Sequence, residues 1–146
     1  MQDIIQREIS INASREKIYE AISNPEKVIQ WFPETIEGHY TKGEQPVFGF
    51  GDHGKNQVYI VDAVPVEYFA FRWVPGGNHF IGDVLSVATT LVEFQISEEQ
   101  NGSCQVTVKE SGFAGLPHDI AESSFNQNSG GWEFMLGRFE SYFTEQ

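Results

Sequence analysis

The sequence predicts an α+β domain over residues 1–146, in which one curved antiparallel β-sheet of about six or seven strands wraps around a long C-terminal α-helix, with two short helices after the first strand. Three observations predict it. At the N-terminus an alternation of period two gives way at once to two short segments of helical period. Between residues 36 and 111, aromatic and β-branched runs are separated by Gly, Pro, Asn and Asp turns. From residue 119 the aromatic side chains return to a spacing of three and four. An antiparallel sheet with one apolar face needs a cover, and the last helix is the only element long enough to supply it.

Ile5, Arg7, Ile9 and Ile11 alternate with Gln6, Glu8 and Ser10, so residues 3–11 read as a first strand with a β-branched face toward the core. Asn12-Ala13-Ser14 then offers capping side chains, with Lys17 where a capping box would place an acid. Ile18, Ala21 and Ile22 recur at helical spacing and predict a short amphipathic helix over 14–23. Ser23-Asn24-Pro25 ends it and opens another, since Asn24 can cap and Pro25 suits the first helical position. Val28, Ile29, Trp31 and Phe32 give that second helix its apolar side, and Pro33 ends it.

Candidate strands follow over 36–41, 46–51, 56–64, 67–74, 87–97 and 103–111. Gly51-Asp52-His53-Gly54 and Gln100-Asn101-Gly102 read as hairpin turns, which makes the sheet mainly antiparallel. Residues 75–86, with Gly76, Gly77 and Gly82, read as a long loop, either functional or merely irregular. Phe125, Asn128, Trp132, Met135, Leu136, Phe139 and Phe143 then mark one stripe along a helix of 119–144. Gly130 and Gly131 each cost such a helix about 1 kcal/mol relative to Ala. Either another backbone approaches there or the helix kinks. A sheet bent round one helix and closed at one end by a helical V leaves a cavity where the two layers diverge, a common place for small apolar ligands.

Composition narrows the function. Against 21 acidic residues there are 9 Lys and Arg, a net charge of −12, which opposes binding to nucleic acid or to an anionic membrane surface. The acids read mostly as a solvated outer face. Hydrophobic residues make up 40% of the chain, enough for a folded core. The one cysteine, Cys104, can form neither an internal disulfide nor a cysteine metal cage, and it reads as a small apolar strand residue. With no signal-like segment, a cytoplasmic location is expected. His39, His53, His79 and His118 have no zinc-type spacing, so no metal is expected; His39 and His79 are candidates for a pocket mouth. The phosphate-binding and nucleophile-elbow motifs are missing too, and no cofactor is expected.

The segment Ala13-Ser14-Arg15-Glu16-Lys17-Ile18-Tyr19-Glu20-Ala21-Ile22, followed by Asn24-Pro25 and Trp31-Phe32, resembles the opening of the SRPBCC or START-like superfamily. More specifically, it is similar to the branch of homologues of the activator of the heat-shock-protein ATPase. The resemblance continues through Phe71-Arg72-Trp73, Thr89-Thr90-Leu91-Val92-Glu93-Phe94, Val106 to Phe113 and Asn128-Ser129-Gly130-Gly131-Trp132, spanning nearly the whole chain in order. It implies a helix-grip fold (START-like or Bet v-like) with a hydrophobic pocket between sheet and C-terminal helix. The superfamily includes lipid-transfer, plant-hormone-binding, aromatase and cyclase, and chaperone co-activator members.

Strand alternation puts Phe69, Phe71 and Trp73 on one side of their strand and Tyr68, Arg72 and Val74 on the other. The aromatic side is the candidate inner face. Phe48, Phe50, Tyr59, Phe71, Trp73, Trp132, Leu136 and Phe139 are the candidate pocket side chains; as core filler they would need no ligand at all. Glu110 shares the phase of Val106 and Val108, which carries its carboxylate inward as a polar anchor or acid/base group, unless the strand end is solvated there. Three functions follow as expectations: binding of a lipid-like or polyketide-like apolar molecule, acid/base catalysis of the aromatase, cyclase or hydrolase kind, and a protein contact such as chaperone modulation. A monomer or weak homodimer is expected.

Overall fold

A computed structural model describes residues 2–144. Strand β1 (Ile4–Ile11) is followed by helices α1 (Arg15–Ser23) and α2 (Pro25–Val28). Strands β2 (Thr35–Glu37), β3 (Val47–Gly49), β4 (Lys55–Val64), β5 (Tyr68–Trp73), β6 (Thr90–Glu98) and β7 (Cys104–Ser111) come next, and helix α3 (His118–Thr144) ends the described chain. The strands form one antiparallel sheet in the order β1-β7-β6-β5-β4-β3-β2. It is a helix-grip fold.

The topology gives the two short helices their task. Strands β2 to β7 run as a meander, while β1 pairs with β7 at the far edge, so the chain must cross from one edge of the sheet to the other between β1 and β2. Helices α1 and α2 make that crossing. Ser14 accepts the Lys17 amide as N-cap, and Asn24 does the same for Glu26 at the Pro25 start of α2. Ile18, Ala21, Ile22 and Val28 are buried, and the Trp31 indole N–H donates to the Ala21 carbonyl at 2.8 Å, locking the angle between the helices. Helix α2 keeps only one turn before the backbone leaves helical geometry ahead of Pro33, so Trp31 and Phe32 reach the core from irregular chain.

Strand β6 starts at Thr90, later than the apolar run from Val87 suggests, because Val84–Ser86 form a 3-10 turn capped by Asp83. β2 and β3 shorten to three residues each. Helix α3 is unbroken, and a Cβ placed on Gly130 or Gly131 would meet no atom within 4 Å. Neither a kink nor a close backbone explains these glycines. The inner face of the sheet and the Trp132, Leu136 and Phe139 stripe of α3 enclose the core, with Phe48, Phe69 and Phe71 buried against them. Edge-to-face rings fill it, such as Trp31 with Phe139 at 4.6 Å and Phe71 with Trp73 at 5.1 Å between centroids.

Candidate functional site

Period two along β7 buries Cys104, Val106, Val108 and Glu110 in succession, and Glu110 sits between Ile5 of β1 and Val92 of β6 with no exposed surface. Isolated in such a place, a carboxylate would be costly. Four donors surround this one. The Trp132 indole N–H and the Asn128 amide donate to Oε1, each at 2.8 Å. The Trp73 indole N–H at 2.9 Å and the Thr90 hydroxyl at 2.5 Å donate to Oε2. Two donors on each oxygen is the full complement of an ionised carboxylate, and all four are neutral. Asn128 and Trp132, four residues apart, come from one face of α3; Trp73 and Thr90 are cross-strand partners on β5 and β6. One side chain thereby fixes helix to sheet.

Above this cluster lies an open cleft of about 390 Å³ between α3, the β3–β4 turn and the loop of residues 75–86. Phe32, Phe50, Trp73, Trp132, Phe134 and Met135 form its apolar wall, and Asn56, Gln127, Asn128, His53 and His79 its polar parts. The loop is pinned from both sides. Asn56, 4% exposed, donates to the Val74 carbonyl at 2.9 Å and accepts the Phe80 amide at 2.9 Å; Gln127 of α3 accepts the Gly77 amide at 3.0 Å. His79 packs on Gly54, where a Cβ would come within 3.1 Å of the imidazole, and Gly54 also takes a φ of +97°.

Of the residues expected to line a pocket, Phe50, Trp73 and Trp132 do so, with Glu110 directly behind the two indoles. Phe48, Phe71, Leu136 and Phe139 lie beneath the cleft in the packed core, outside its lining. Tyr59 requires a correction: it alternates with buried Val58 and Ile60 and pairs with Arg72, so its side chain is on the opposite face of the sheet. The reason is the same period of two that brings Phe71 and Trp73 inward. His39 is exposed and away from the mouth, whereas His79 borders it, joined by His53.

Asn56, Thr90, Asn128 and Gly131 were not foreseen as site residues. Their signal was phase. Asn56 precedes Val58 and Ile60 by two and four, Thr90 stands likewise before Val92 and Phe94, and Asn128 is the polar member of the α3 stripe. Gly131 borders the cleft with open space where a side chain would project. No helix of the described residues is long and apolar enough to cross a membrane, and no group of three or more His, Cys, Asp or Glu among them is placed to hold a metal ion.

Several solved structures share this architecture. DynU16, described as a putative protein in the dynemicin biosynthetic locus, superposes with a TM-score of 0.77 at 24% identity; the alignment covers 97% of this chain but only 47% of that one, so the chain spans about half of its length. Protein MLL2253 from Mesorhizobium loti superposes at 0.78 with 15% identity over 98% of both chains. The solution structure of the Aha1 dimer from Colwellia psychrerythraea gives 0.73 at 20% identity over 97% of this chain and 96% of that one. No curated protein sequence matches the chain. The family model described as Activator of Hsp90 ATPase homolog 1-like protein matches residues 12–144. Together with the helix-grip architecture, a match from before α1 to the last described turn of α3 makes the chain a member of that family.

Proposed function

We propose that the protein binds a small apolar or aromatic molecule in the cleft between the sheet and α3. The carrying observation is the cleft itself: about 390 Å³, within the usual range for small-molecule sites, with five phenylalanine and tryptophan rings on its wall. Two of those rings are held by hydrogen bonds to a buried anion, so the surface they offer is formed in advance. Glu110 acts here as a positioning residue, because both its oxygens are engaged and it has no exposed surface from which to move a substrate proton. Lipid-like and polyketide-like compounds both fit this reading.

Thermal unfolding with a panel of fatty alcohols, flavonoids and aromatic polyketides tests it. A ligand at about a hundred times its Kd adds about 2.7 kcal/mol to the folded state. Gly131→Leu should fill the cleft from a position that meets no neighbouring atom, and so remove the ligand-induced shift while the protein stays folded. No shift with any compound, or an equal shift in Gly131→Leu, counts against the cleft.

A further inference from the structure

We infer that the ligand of this cleft is cationic, an organic ammonium or comparable delocalised cation seated against the rings of Phe32, Trp73 and Trp132. This rests on the proposed binding role and adds the sign of the ligand's charge. The first ground is an uncompensated anion. Glu110 has no exposed surface, its four partners are neutral, and it takes part in none of the ion pairs among the described residues. Neutral donors solvate a carboxylate but leave its field in place, and low-dielectric surroundings screen that field poorly. The open side of the cluster is the cleft.

The second ground is the rings. Trp73 and Trp132 stand 6.2 Å apart between centroids, Phe32 lies 6.0 Å from the first and 5.4 Å from the second, and all three border the cleft. These rings pack on one another, and a cation seated in the cleft against their exposed edges and faces, within about 6 Å of a ring centroid, is attracted to them, to indole best of all. Each indole gives its N–H to the carboxylate, which draws electron density into the ring and strengthens that face. Buried charge and ring quadrupoles thus favour the same sign.

The third ground is the lining's own charge. Among the described residues no lysine or arginine lines the cleft, and the Asn56 and Gln127 amides are already engaged in holding the 75–86 loop. His53 and His79 stand at the mouth, and affinities are compared at one fixed pH of about 7, where a phenol carrying an ammonium group keeps its proton. An anionic ligand would face Glu110 without a counter-charge.

The test compares 3-hydroxyphenyltrimethylammonium with 3-tert-butylphenol, which share a shape and differ by one charge, with 3-hydroxybenzoate as the anion. Titration calorimetry on the wild-type protein should give the ammonium at least about tenfold higher affinity than the phenol, with the benzoate weakest. The preference should persist in about 0.5 M salt, which screens the surface charge but not a buried one. Glu110→Gln, read by the same ratio, should abolish it. If Glu110→Gln does not fold, the wild-type ratio in high salt decides alone. Equal or tighter binding of the phenol overturns the cationic preference and leaves apolar binding standing. A preference that vanishes in salt overturns it too, by assigning it to the net charge of −12. If no probe binds, this inference falls; the binding role falls with it only if the lipid, flavonoid and polyketide panel also leaves the melting temperature unmoved.

Discussion

Trp132 of the C-terminal helix donates its indole N–H to Glu110 Oε1 at 2.8 Å, and through that bond the helix is tied to the interior of the sheet rather than only packed on it. Apolar packing fixes the separation of two layers but tolerates sliding; a directed bond to a buried charge fixes register. Asn128, four residues earlier, adds a second such bond to the same oxygen. The wall of the cleft and the seam of the fold are therefore the same residues.

Removing the acceptor should be expensive. Glu110→Gln turns one oxygen into an amide donor facing two other donors, and urea unfolding should show a loss of about 2–6 kcal/mol, about 1–3 for each donor left unsatisfied. Thr90→Val, close in volume, deletes one donor and should cost about 1.5–3 kcal/mol. A loss under about 0.5 kcal/mol for Glu110→Gln would mean that helix packing alone sets the register.

Asn56 should govern the loop of residues 75–86 rather than the whole fold. Its amide satisfies the Val74 carbonyl and the Phe80 amide on the two sides of that loop. Asn56→Ala leaves both groups short of a partner, for about 1–3 kcal/mol. Hydrogen exchange at Phe80 and proteolysis between Gly76 and Gly82 should accelerate well before exchange in β6 and β7 does. Uniform acceleration across the sheet would assign Asn56 to the global core instead.

The sheet, the long helix and the inward phase of Glu110 were legible because each rests on a period, two for β7 and three to four for α3. Tyr59 was misplaced although the same period applied to it: reading it as an aromatic rather than as the residue between Val58 and Ile60 set composition above phase. The division of Phe71, Leu136 and Phe139 from Phe50, Trp73 and Trp132 was not legible at all. All six point inward, and which reach the cleft depends on how far α3 stands from β4 and β5, a tertiary distance with no sequence period. His53 and His79 come together through Gly54, by a contact between two loops.

Three glycines lie within α3, at 130, 131 and 137, and at none of them would a Cβ meet an atom within 4 Å. Gly130→Ala should therefore stabilise the protein by up to about 1 kcal/mol, the helix-propensity difference. Gly131→Ala should add a similar amount, so thermal melts would place both above the wild type. A destabilised Gly130→Ala would show that the helix needs bending freedom at that point.

Val66 is the described non-glycine residue with positive φ, at +61°, in the turn between β4 and β5 after Pro65. A β-branched side chain is strained in that region, by about 1–3 kcal/mol. Val66→Asn keeps the turn and accepts the dihedral more readily, so the midpoint of urea unfolding should rise. A lower midpoint would show that the half-buried valine contributes more by packing than its backbone loses.

Stability should fall steeply in alkali, and Tyr40 is the main reason. Burial pushes its phenol well above the ordinary value of 10.0, and the hydroxyl donates to the Ile22 carbonyl at 2.9 Å, a bond that the phenolate cannot make. Unfolded, Tyr40 titrates near its ordinary value; folded, it keeps its proton. Above about pH 10 the native state thus binds more protons than the unfolded one, and unfolding free energy decreases as pH rises, by about 1.4 kcal/mol per unit for one such group. The contribution is fully present below that point and is lost progressively as pH rises above it. Tyr68, raised by burial and then by its 2.5 Å bond to Glu93, acts in the same direction. Tyr40→Phe should cost about 1 kcal/mol at neutral pH for the lost hydrogen bond and should flatten the alkaline limb. Urea titrations at about pH 8 and pH 11 measure both effects. If the two proteins lose the same stability between those conditions, the alkaline sensitivity belongs to other groups and Tyr40 ionises without unfolding the core.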